Sequence, residues 1–318
     1  MNILITGING FVGTNFTNSW KDKNHTIYGL DINQQYKSGV EEIYAWDELG
    51  KVPTMNAVVH LAGKAHDTDN KSEAQSYFDV NTGLTQKIFD WFLQSDTETF
   101  IFFSSVKAAA DVVNGDTLTE EVIPKPVGPY GESKIKAEEY ILSKESEYKS
   151  KGKRVYIVRP AMIHGPGNKG NLNLLYSVVK RGIPWPLGAY ENRRSFCSID
   201  NITYVVEQLI INDRVESGIY HVCDDEAIST NELIEAMCEA MGKKAKIWRV
   251  SKGFINGVAK IGSAIKFPLN TFRLQKLTEN YVVSNAKIKS ALGIEKMPVS
   301  AKEGIEKTIK SFDKNSKQ

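Results

Sequence analysis

Residues 1–13 of the chain read MNILITGINGFVG, and this stretch decides the fold. The apolar run Ile3–Ile5 predicts a buried strand, which leads into glycines at positions 7, 10 and 13. Where a helix follows such a turn, the backbone approaches a pyrophosphate closely and the helix N-terminus faces its negative charge. We therefore predict a dinucleotide-binding turn: Gly7 permits the tight turn, Gly10 the close approach and Gly13 the helix–strand contact. A glycine-rich turn in another kind of α/β domain is the alternative.

A second predicted strand, Thr26–Leu30, ends in the acid Asp31. Asp31 lies about twenty residues beyond the glycines, where a carboxylate accepts hydrogen bonds from the adenosine ribose hydroxyls. A carboxylate there repels a 2′-phosphate, and the first basic residue after Asp31 is Lys37. The sequence therefore predicts NAD as the cofactor in preference to NADP. An acid that merely closes a strand-to-helix turn is the alternative.

The composition is that of a soluble globular protein and excludes several function classes. The chain has 318 residues, 41% of them hydrophobic and 25% charged, and a net charge of +2 gives no reason to expect nucleic acid as a partner. No apolar run approaches the roughly 20 residues that span a bilayer, and an N-terminal core strand argues against a cleavable signal peptide. Three cysteines without a CxxC pair indicate free thiols in a reducing compartment. We expect a cytoplasmic protein without membrane insertion, and the histidine spacing predicts no metal site.

Strand-like and helix-like runs alternate along the first half of the chain. This alternation predicts an α/β fold with a Rossmann-like, doubly wound parallel sheet. Strands are predicted at Ile3–Ile5, Thr26–Leu30, Ala57–Leu61, Thr99–Phe103, Val155–Val158 and Ile219–Val222, and helices at Phe11–Trp20, Ala74–Leu93 and Ser133–Ser150.

The alternation of strand-like and helix-like runs gives way to long loops and helices after about residue 161. This change predicts a smaller mixed α/β lobe for substrate binding. We expect residues 1–163 and 196–225 to form the NAD-binding domain and residues 164–195 and 226–318 the second lobe. Ser229 with Glu232 three residues later predicts a helical capping box. Long loops are predicted at His164–Asn173 and Gly182–Arg194, the latter exposing Trp185, Leu187 and Tyr190, and helices at Thr230–Met241, Gly253–Ile265 and Ala301–Phe312.

One helix of the second lobe carries an apolar stripe with two interpretations. Phe254, Val258, Ile261 and Ile265 recur at helical spacing, and lysines lie nearby. A helix lying on a membrane surface is one interpretation. We favour the other, in which the stripe faces the core of the lobe.

The segment Tyr130-Gly131-Glu132-Ser133-Lys134 carries the predicted chemistry. In a helix that begins near Pro129, Tyr130 and Lys134 lie one turn apart on one face. A phenol has a pKa of about 10, and an ammonium about 4 Å away at an effective dielectric constant of about 20 lowers it by about three units. Tyr130 is then able to exchange a proton with a substrate hydroxyl near neutral pH.

Ser105 is the third candidate in this site. The apolar strand Phe100–Phe103 ends in Ser104 and Ser105, and residues leaving the carboxyl end of a central strand face the cofactor crevice. Ser105 is placed there to hydrogen-bond the hydroxyl or ketone that Tyr130 serves. Hydroxyls that only satisfy the backbone at a strand end are the alternative.

With these motifs the chain resembles the extended short-chain dehydrogenase/reductases, in their nucleotide-sugar epimerase/dehydratase group. The resemblance covers nearly the whole chain and implies a catalytic triad of Ser105, Tyr130 and Lys134, with Lys134 also holding the nicotinamide ribose. The motifs that carry it are Thr6-Gly7-x-x-Gly10-Phe11-x-Gly13, His60-Leu61-Ala62-Gly63, Ser104-Ser105, Tyr130-x-x-x-Lys134 and Arg159-Pro160-x-x-x-x-Gly165-Pro166-Gly167.

The resemblance also implies residues that bind the cofactor and the substrate. Asp47 is expected near the adenine, and Asn81 resembles the family's buried asparagine between sheet and helix. The implied cofactor-binding residues are Gly7, Gly10, Phe11, Val12, Gly13, Asp31, Asp47, Leu61, Ala62, Gly63, Asn81, Ser104, Tyr130, Lys134 and Pro160. The implied substrate-binding residues are Lys64, His66, Ser105, Asn171, Leu187, Arg194 and Arg273.

Arg194 matches a family arginine that meets the substrate pyrophosphate, where a guanidinium chelates phosphate oxygens. The segment Arg193–Asp200 departs from the family pattern, because Ser195 replaces an Asp and Ser198 replaces a His.

Two other departures bear on the reaction. The segment Val106–Ala110 replaces the Tyr-Gly of many epimerases, and His66 follows the Leu-Ala-Gly turn. Both resemble a branch that makes 6-deoxy amino sugars for bacterial surface polysaccharides and whose members reduce a 4-keto UDP-sugar.

The resemblance therefore implies one leading reaction and two alternatives. The leading reaction is NAD-dependent epimerisation at C4 of a UDP-hexose or UDP-N-acetylhexosamine through a 4-keto intermediate. The alternatives are an NAD(P)H-dependent reductase of a UDP-4-keto-6-deoxy-hexosamine and a non-catalytic dinucleotide-binding protein. UDP and TDP both remain open, and dehydration ranks lower because no Asp-Glu pair follows Ser105. The family suggests a homodimer through helices around residues 76–93 and 133–150.

Overall fold

The predicted strands form a seven-stranded parallel sheet in the computed structural model, which describes residues 1–64, 73–168, 170–264 and 270–315. The sheet order is β3-β2-β1-β4-β5-β6-β9, and β7 pairs with β8 in a separate parallel sheet. This confirms the predicted Rossmann-like fold class. The strands are β1 Asn2–Thr6, β2 Thr26–Leu30, β3 Glu42–Tyr44, β4 Ala57–His60, β5 Thr99–Phe103, β6 Arg154–Pro160, β7 Met162–His164, β8 Phe196–Ser198 and β9 Gly218–Val222. The three-residue strands β3, β7 and β8 were not predicted, because so short a run carries no periodicity.

The helices cover the faces of the sheet and build most of the second lobe. A π-helical stretch, Phe78–Gly83, interrupts the helix predicted over 74–93, and a 3-10 turn lies at Leu49–Lys51. The α-helices are α1 Phe11–Trp20, α2 Ala74–Tyr77, α3 Leu84–Gln94, α4 Val106–Ala109, α5 Pro129–Ser143, α6 Glu145–Ser150, α7 Asn171–Lys180, α8 Ile199–Ile211, α9 Thr230–Ala240, α10 Lys252–Ala264, α11 Thr271–Thr278, α12 Ala286–Leu292 and α13 Ala301–Asn315.

The sheet is covered on both faces because successive side chains of a strand point to opposite sides. Ile3 and Ile5 belong to one apolar cluster with Phe16 of α1. Leu4, between them, belongs to a second cluster with Phe89 of α3. Every residue of β4 and β5 is buried, as expected for central parallel strands.

The predicted second lobe contains a separate apolar cluster, which is formed by α7, α9 and α13 with side chains such as Leu172, Met237 and Ile305. The predicted capping box is confirmed, since the Glu232 N–H donates to Ser229 Oγ at 3.1 Å and the Ser229 N–H donates to Glu232 Oε2 at 2.6 Å. The loop predicted over 164–173 is wrong in part, because burial of Leu172 lets α7 begin at residue 171.

Two predictions about apolar side chains in this lobe are wrong. Leu187 is only 3% exposed and packs in a small cluster with Ile255 and Ala259 of α10. Those two residues form the inner face of α10, so the stripe that contains Phe254 and Ile261 faces outward. Both are exposed, at 65% and 64%. Ile265, the fourth member of the stripe, lies outside the described residues.

Cys197, Cys223 and Cys238 are free thiols, and all three are buried. Within the described ranges, no helix combines the length and the apolar composition needed to cross a membrane.

Candidate active site

The glycine turn after β1 has no room for side chains at Gly7 and Gly13. Gly7 has φ +67°, and a Cβ there would lie 2.9 Å from the Ala62 backbone. A Cβ on Gly13 would lie 2.7 Å from the Ile8 carbonyl oxygen, so the glycine permits the contact between α1 and the turn. Gly10 caps α1 without a side-chain hydrogen bond, and Phe11 and Val12 begin the helix. A cradle that side chains would fill, at a helix N-terminus, fits the diphosphate of a dinucleotide.

Asp31 lies beside this turn and already accepts two backbone hydrogen bonds. The Asn9 N–H donates to Asp31 Oδ2 at 3.0 Å, and the Asn33 N–H donates to Oδ1 at 3.1 Å. Lys37, six residues on, folds back so that its ammonium donates to the Ile8 carbonyl and to Thr14 Oγ1. Burial lowers the pKa of Lys37, and the charge of Asp31 opposes that shift. Sequence spacing placed no cation here.

A chain of hydrogen bonds through buried His60 joins the two turns that line the crevice. The Ala62 N–H donates to Thr6 Oγ1 at 3.0 Å, and that hydroxyl lies 2.6 Å from His60 Nδ1. Thr85 donates to the Asn81 carbonyl at 2.6 Å and therefore accepts from His60 Nε2 at 2.9 Å. Burial lowers the pKa of His60 to about 3, so the ring is neutral and keeps this direction of donation.

Asn81 ties the Leu-Ala-Gly turn to α5, and its predicted burial is confirmed. Its Oδ1 accepts from the Lys64 N–H at 2.7 Å, and its Nδ2 donates to Ser133 Oγ at 2.9 Å. A Cβ on Gly63 would lie 2.9 Å from Asn81 Oδ1 and 3.1 Å from Lys134 Nζ. The turn therefore lies directly against Lys134.

Ser105 and Tyr130 meet at the carboxyl edge of the sheet. Ser105 caps α4 by accepting a hydrogen bond from the Lys107 N–H at 3.2 Å. Tyr130 is in the first turn of α5, and its side chain hydrogen-bonds that of Ser105. The ring of Tyr77 lies 6.4 Å from that of Tyr130 in an edge-to-face arrangement. The arrangement lets one substrate oxygen contact both hydroxyls.

Lys134 lies one turn beyond Tyr130, but it does not control the tyrosine pKa as the sequence predicted. Its ammonium donates to the Phe103 carbonyl at 2.8 Å, and burial lowers its own pKa to about 8. Burial also raises the pKa of Tyr130, and only the hydrogen bond from Ser105 opposes that shift among its main causes. The loss of hydration around the phenol thus outweighs the attraction expected from the neighbouring lysine.

Ser104 points away from the crevice. Its hydroxyl donates to Glu138 of α5, which forms a buried ion pair with Arg159 of β6. The Arg159 Nε donates to Glu138 Oε1 at 2.9 Å. Pro160, the next residue, is buried at the end of β6 beside Val222. The Ser104 hydroxyl therefore stabilises the packing of α5 against the sheet.

The other predicted residues are placed as follows. Asp47 is exposed in the turn after β3, while Leu61 and Ala62 are half-buried in the turn after β4. Lys64 Nζ donates to Ser76 Oγ at 2.6 Å. His66 lies outside the described residues, as do the side chains of Asn171 and Arg273. Leu187 is covered by α10 and α11.

Arg194 joins a charge cluster that sequence reasoning missed. Its guanidinium donates to the Lys276 carbonyl at 2.7 Å. Lys276 Nζ and Lys107 Nζ each donate to Asp111, at 3.0 and 2.9 Å. Glu279 lies 3.4 Å from Lys276. In the sequence, the one sign of this charge cluster was Lys107, which lies two residues after Ser105. Three cations thus lie near the end of α4.

Ser198, which stands where the family has a histidine, has a structural role in the Arg193–Asp200 segment. Ser198 is the N-cap of α8, since its Oγ accepts from the Asn201 N–H at 3.2 Å. Ser195 hydrogen-bonds the backbone of Val283. The two serines therefore stabilise the local backbone of this segment, but they add no charged side chain to it.

Comparison with known proteins agrees with this arrangement. The model of the NAD dependent epimerase/dehydratase family matches residues 3–223. The chain is 29% identical to a UDP-glucose 4-epimerase of Vibrio cholerae, covering 98% of this chain and 95% of that protein. It is 25% identical to an N-acetyl-alpha-D-glucosaminyl-diphospho-ditrans,octacis-undecaprenol 4-epimerase of Escherichia coli O157:H7, covering 97% and 94%. Among solved structures, MoeE5 in complex with UDP-glucuronic acid and NAD matches with a TM-score of 0.76 at 17% identity, covering 99% of this chain and 100% of that one.

Proposed function

The chain belongs to the NAD dependent epimerase/dehydratase family, and from this premise we propose that it epimerises C4 of a UDP-hexose or UDP-N-acetylhexosamine through a transient 4-keto intermediate. One observation carries the proposal. Ser105, Tyr130 and Lys134 converge at the carboxyl end of β5, beside the Leu-Ala-Gly turn after β4. Those are the groups that proton exchange with a carbinol next to a nicotinamide needs.

We assign the roles from this geometry. Tyr130 takes the proton of the C4 hydroxyl and later returns it, and Ser105 hydrogen-bonds the same oxygen. Lys134 binds the nicotinamide ribose from its position beside Gly63. When bound, NAD supplies the hydride acceptor and donor, and its positive ring favours the phenolate. That positive charge lowers the pKa of Tyr130 and so opposes the increase that burial causes.

The charge cluster supplies the proposed diphosphate site. Arg194 provides a fork for phosphate oxygens, and Lys107 and Lys276 add positive charge next to it. Asp111 holds both lysines in place. Leu187 contributes to the packing of this lobe, because it lies in an apolar cluster with residues of α10.

The first test offers UDP-hexose to the protein as purified, with no cofactor added. An epimerase that retains its NAD makes the C4 epimer, because the hydride removed from C4 returns to it. Product is followed by ion-exchange chromatography or NMR, with UDP-N-acetylhexosamine as a second substrate. The proposal is wrong if neither substrate is epimerised while NADPH is oxidised on a UDP-4-keto-6-deoxy sugar.

The last outcome would support the second candidate, a 4-keto reductase. Lys37 favours it, because an ammonium against the glycine turn lies near the place where a 2′-phosphate would be bound. The segment Val106–Ala110 also resembles the reductase branch. A non-catalytic dinucleotide-binding protein is the third candidate, and the retained Tyr130 and Lys134 argue against it.

The second prediction concerns the cofactor. Changing Asp31→Ala is expected to weaken NAD binding about 10- to 100-fold, because a charged acceptor for the ribose hydroxyls is lost. NADP binding should weaken less or improve, since the repelling charge is gone and Lys37 remains. Dissociation constants for both nucleotides measure this.

A double variant, Asp31→Ala with Lys37→Met, is the matched control. It should lose the relative gain for NADP while keeping the defect for NAD. An unchanged ratio of the two affinities in Asp31→Ala would contradict the assignment of Asp31.

The proposal also covers the domain organisation, the oligomeric state, the location and the pathway. The division into an NAD-binding domain (1–163 and 196–225) and a nucleotide-sugar lobe (164–195 and 226–318) is supported by the separate core of α7, α9 and α13. We propose a homodimer through the helices around 76–93 and 133–150. The three free thiols support a reducing, cytoplasmic location. A role in surface polysaccharide precursor synthesis is part of the proposal.

A further inference from the structure

The charges of the chain are distributed unevenly. The whole sequence has 40 Lys and Arg against 38 Asp and Glu. Residues 240–278 contain nine of those cations and no acid. This segment comprises the approach to α10, α10 itself and the whole of α11, so one part of the second lobe is strongly basic while the rest of the chain is net acidic.

The described part of this segment also exposes large apolar side chains. The inner face of α10 packs Ile255 and Ala259 into the lobe. The outer face presents Phe254 and Ile261, which are 65% and 64% exposed, and Trp248 just before the helix is 59% exposed. Apolar side chains of this size usually find a partner when they cluster on a surface.

Basic side chains are exposed along the same segment. A cleft of about 390 Å³ lies beside this segment, and its lining includes Lys180, Arg181 and Ile183. Ile183 is 51% exposed. The exposed cations of the segment are Lys243, Lys244, Lys246, Arg249, Lys252 and Lys260.

We propose that this surface, formed by residues 243–249 and the outer face of α10 and here called the basic apolar face, docks on an anionic lipid bilayer. An amphipathic helix with exposed Phe and Ile inserts those side chains at the headgroup boundary, while flanking lysines bind acidic headgroups. A second copy of this chain is a poorer partner, because a symmetric contact would bring the same cations together. The proposal does not depend on the reaction proposed above.

Co-sedimentation with lipid vesicles tests the electrostatic part. The full-length protein should bind vesicles of phosphatidylglycerol and phosphatidylcholine, and bind much less to phosphatidylcholine alone. Replacing Lys244, Lys246 and Lys260 by Ser should weaken this binding about 100-fold. A control that replaces Lys302, Lys307 and Lys310 of α13 by Ser removes the same charge from exposed positions and should bind as the wild type does.

The apolar part has its own pair of variants. Phe254→Ser with Ile261→Ser should weaken binding to the acidic vesicles about 10-fold, and the remainder should be abolished by high salt. Ile123→Ser with Ile211→Ser changes two exposed residues elsewhere and should have no effect. Thermal melts and epimerase or NADPH-oxidation assays confirm that each variant is folded.

Four results would overturn the proposal. The wild type does not bind acidic vesicles, or the target and control variants bind them equally. The Phe254→Ser/Ile261→Ser variant changes the oligomeric state in light scattering, which would assign the face to a second copy. The protein binds a nucleic acid duplex more tightly than the acidic vesicles at the same salt.

Discussion

Replacing Tyr130 by Phe is expected to lower turnover of the sugar nucleotide about 100- to 10,000-fold, because the phenol oxygen that exchanges the C4 proton is lost. NAD binding should change little, since the backbone of Tyr130 keeps its hydrogen bond from Ser133 and Lys134 keeps its place at Phe103. Steady-state rates on the substrate identified by the cofactor-free assay measure the loss, and nucleotide titration measures the binding.

Tyr140→Phe is the matched control on the same helix. Its hydroxyl donates to Asp90 on α3, on the face of α5 that packs away from the crevice. The control should stay within a few-fold of the wild-type rate. If Tyr130→Phe keeps more than a tenth of the activity, the phenol is not the proton carrier and the mechanism proposed here is wrong.

Replacing Arg159 by Met is expected to lower the free energy of unfolding by about 3–5 kcal/mol, the usual cost of leaving a buried charge without its partner. Glu138 is fully buried and accepts hydrogen bonds from the Nε and the Nη2 of Arg159 and from the hydroxyl of Ser104. Without the guanidinium, the carboxylate loses its ion-pair partner, and the Lys134 ammonium attracts it only from a greater distance. Urea denaturation at neutral pH, followed by circular dichroism, measures the change.

The double variant Glu138→Met with Arg159→Met tests the cause of that loss. It removes both charges and fills their space with side chains of similar volume, so most of the stability should return. A double variant as unstable as Arg159→Met would show that shape, and not the unpaired carboxylate, causes the loss. Because the pair anchors α5, Arg159→Met should also lower turnover through the positions of Tyr130 and Lys134.

The sequence by itself determined the frame of this protein. The six longer strands and the helix after the glycine turn were predictable, because buried parallel strands are continuous apolar runs and Gly7 must adopt a positive φ. The four-residue spacing of Tyr130 and Lys134 placed both on one turn of α5, and the position of Ser105 after β5 placed it at the same edge. These features are local or follow from sheet topology, so spacing along the chain is enough to find them.

The tertiary structure alone decided which groups meet across long separations. Lys37 reaches the glycine turn, and Lys276 of α11 meets Asp111, which lies 165 positions earlier in the chain. The periodicity of α10 showed that Phe254 and Ile261 share a face, but not which face the lobe covers. The pKa of Tyr130 likewise depends on burial, which is a sum over the surrounding protein. Periodicity fixes neighbours along one element, whereas contact, exposure and desolvation are set by the packing of all elements together.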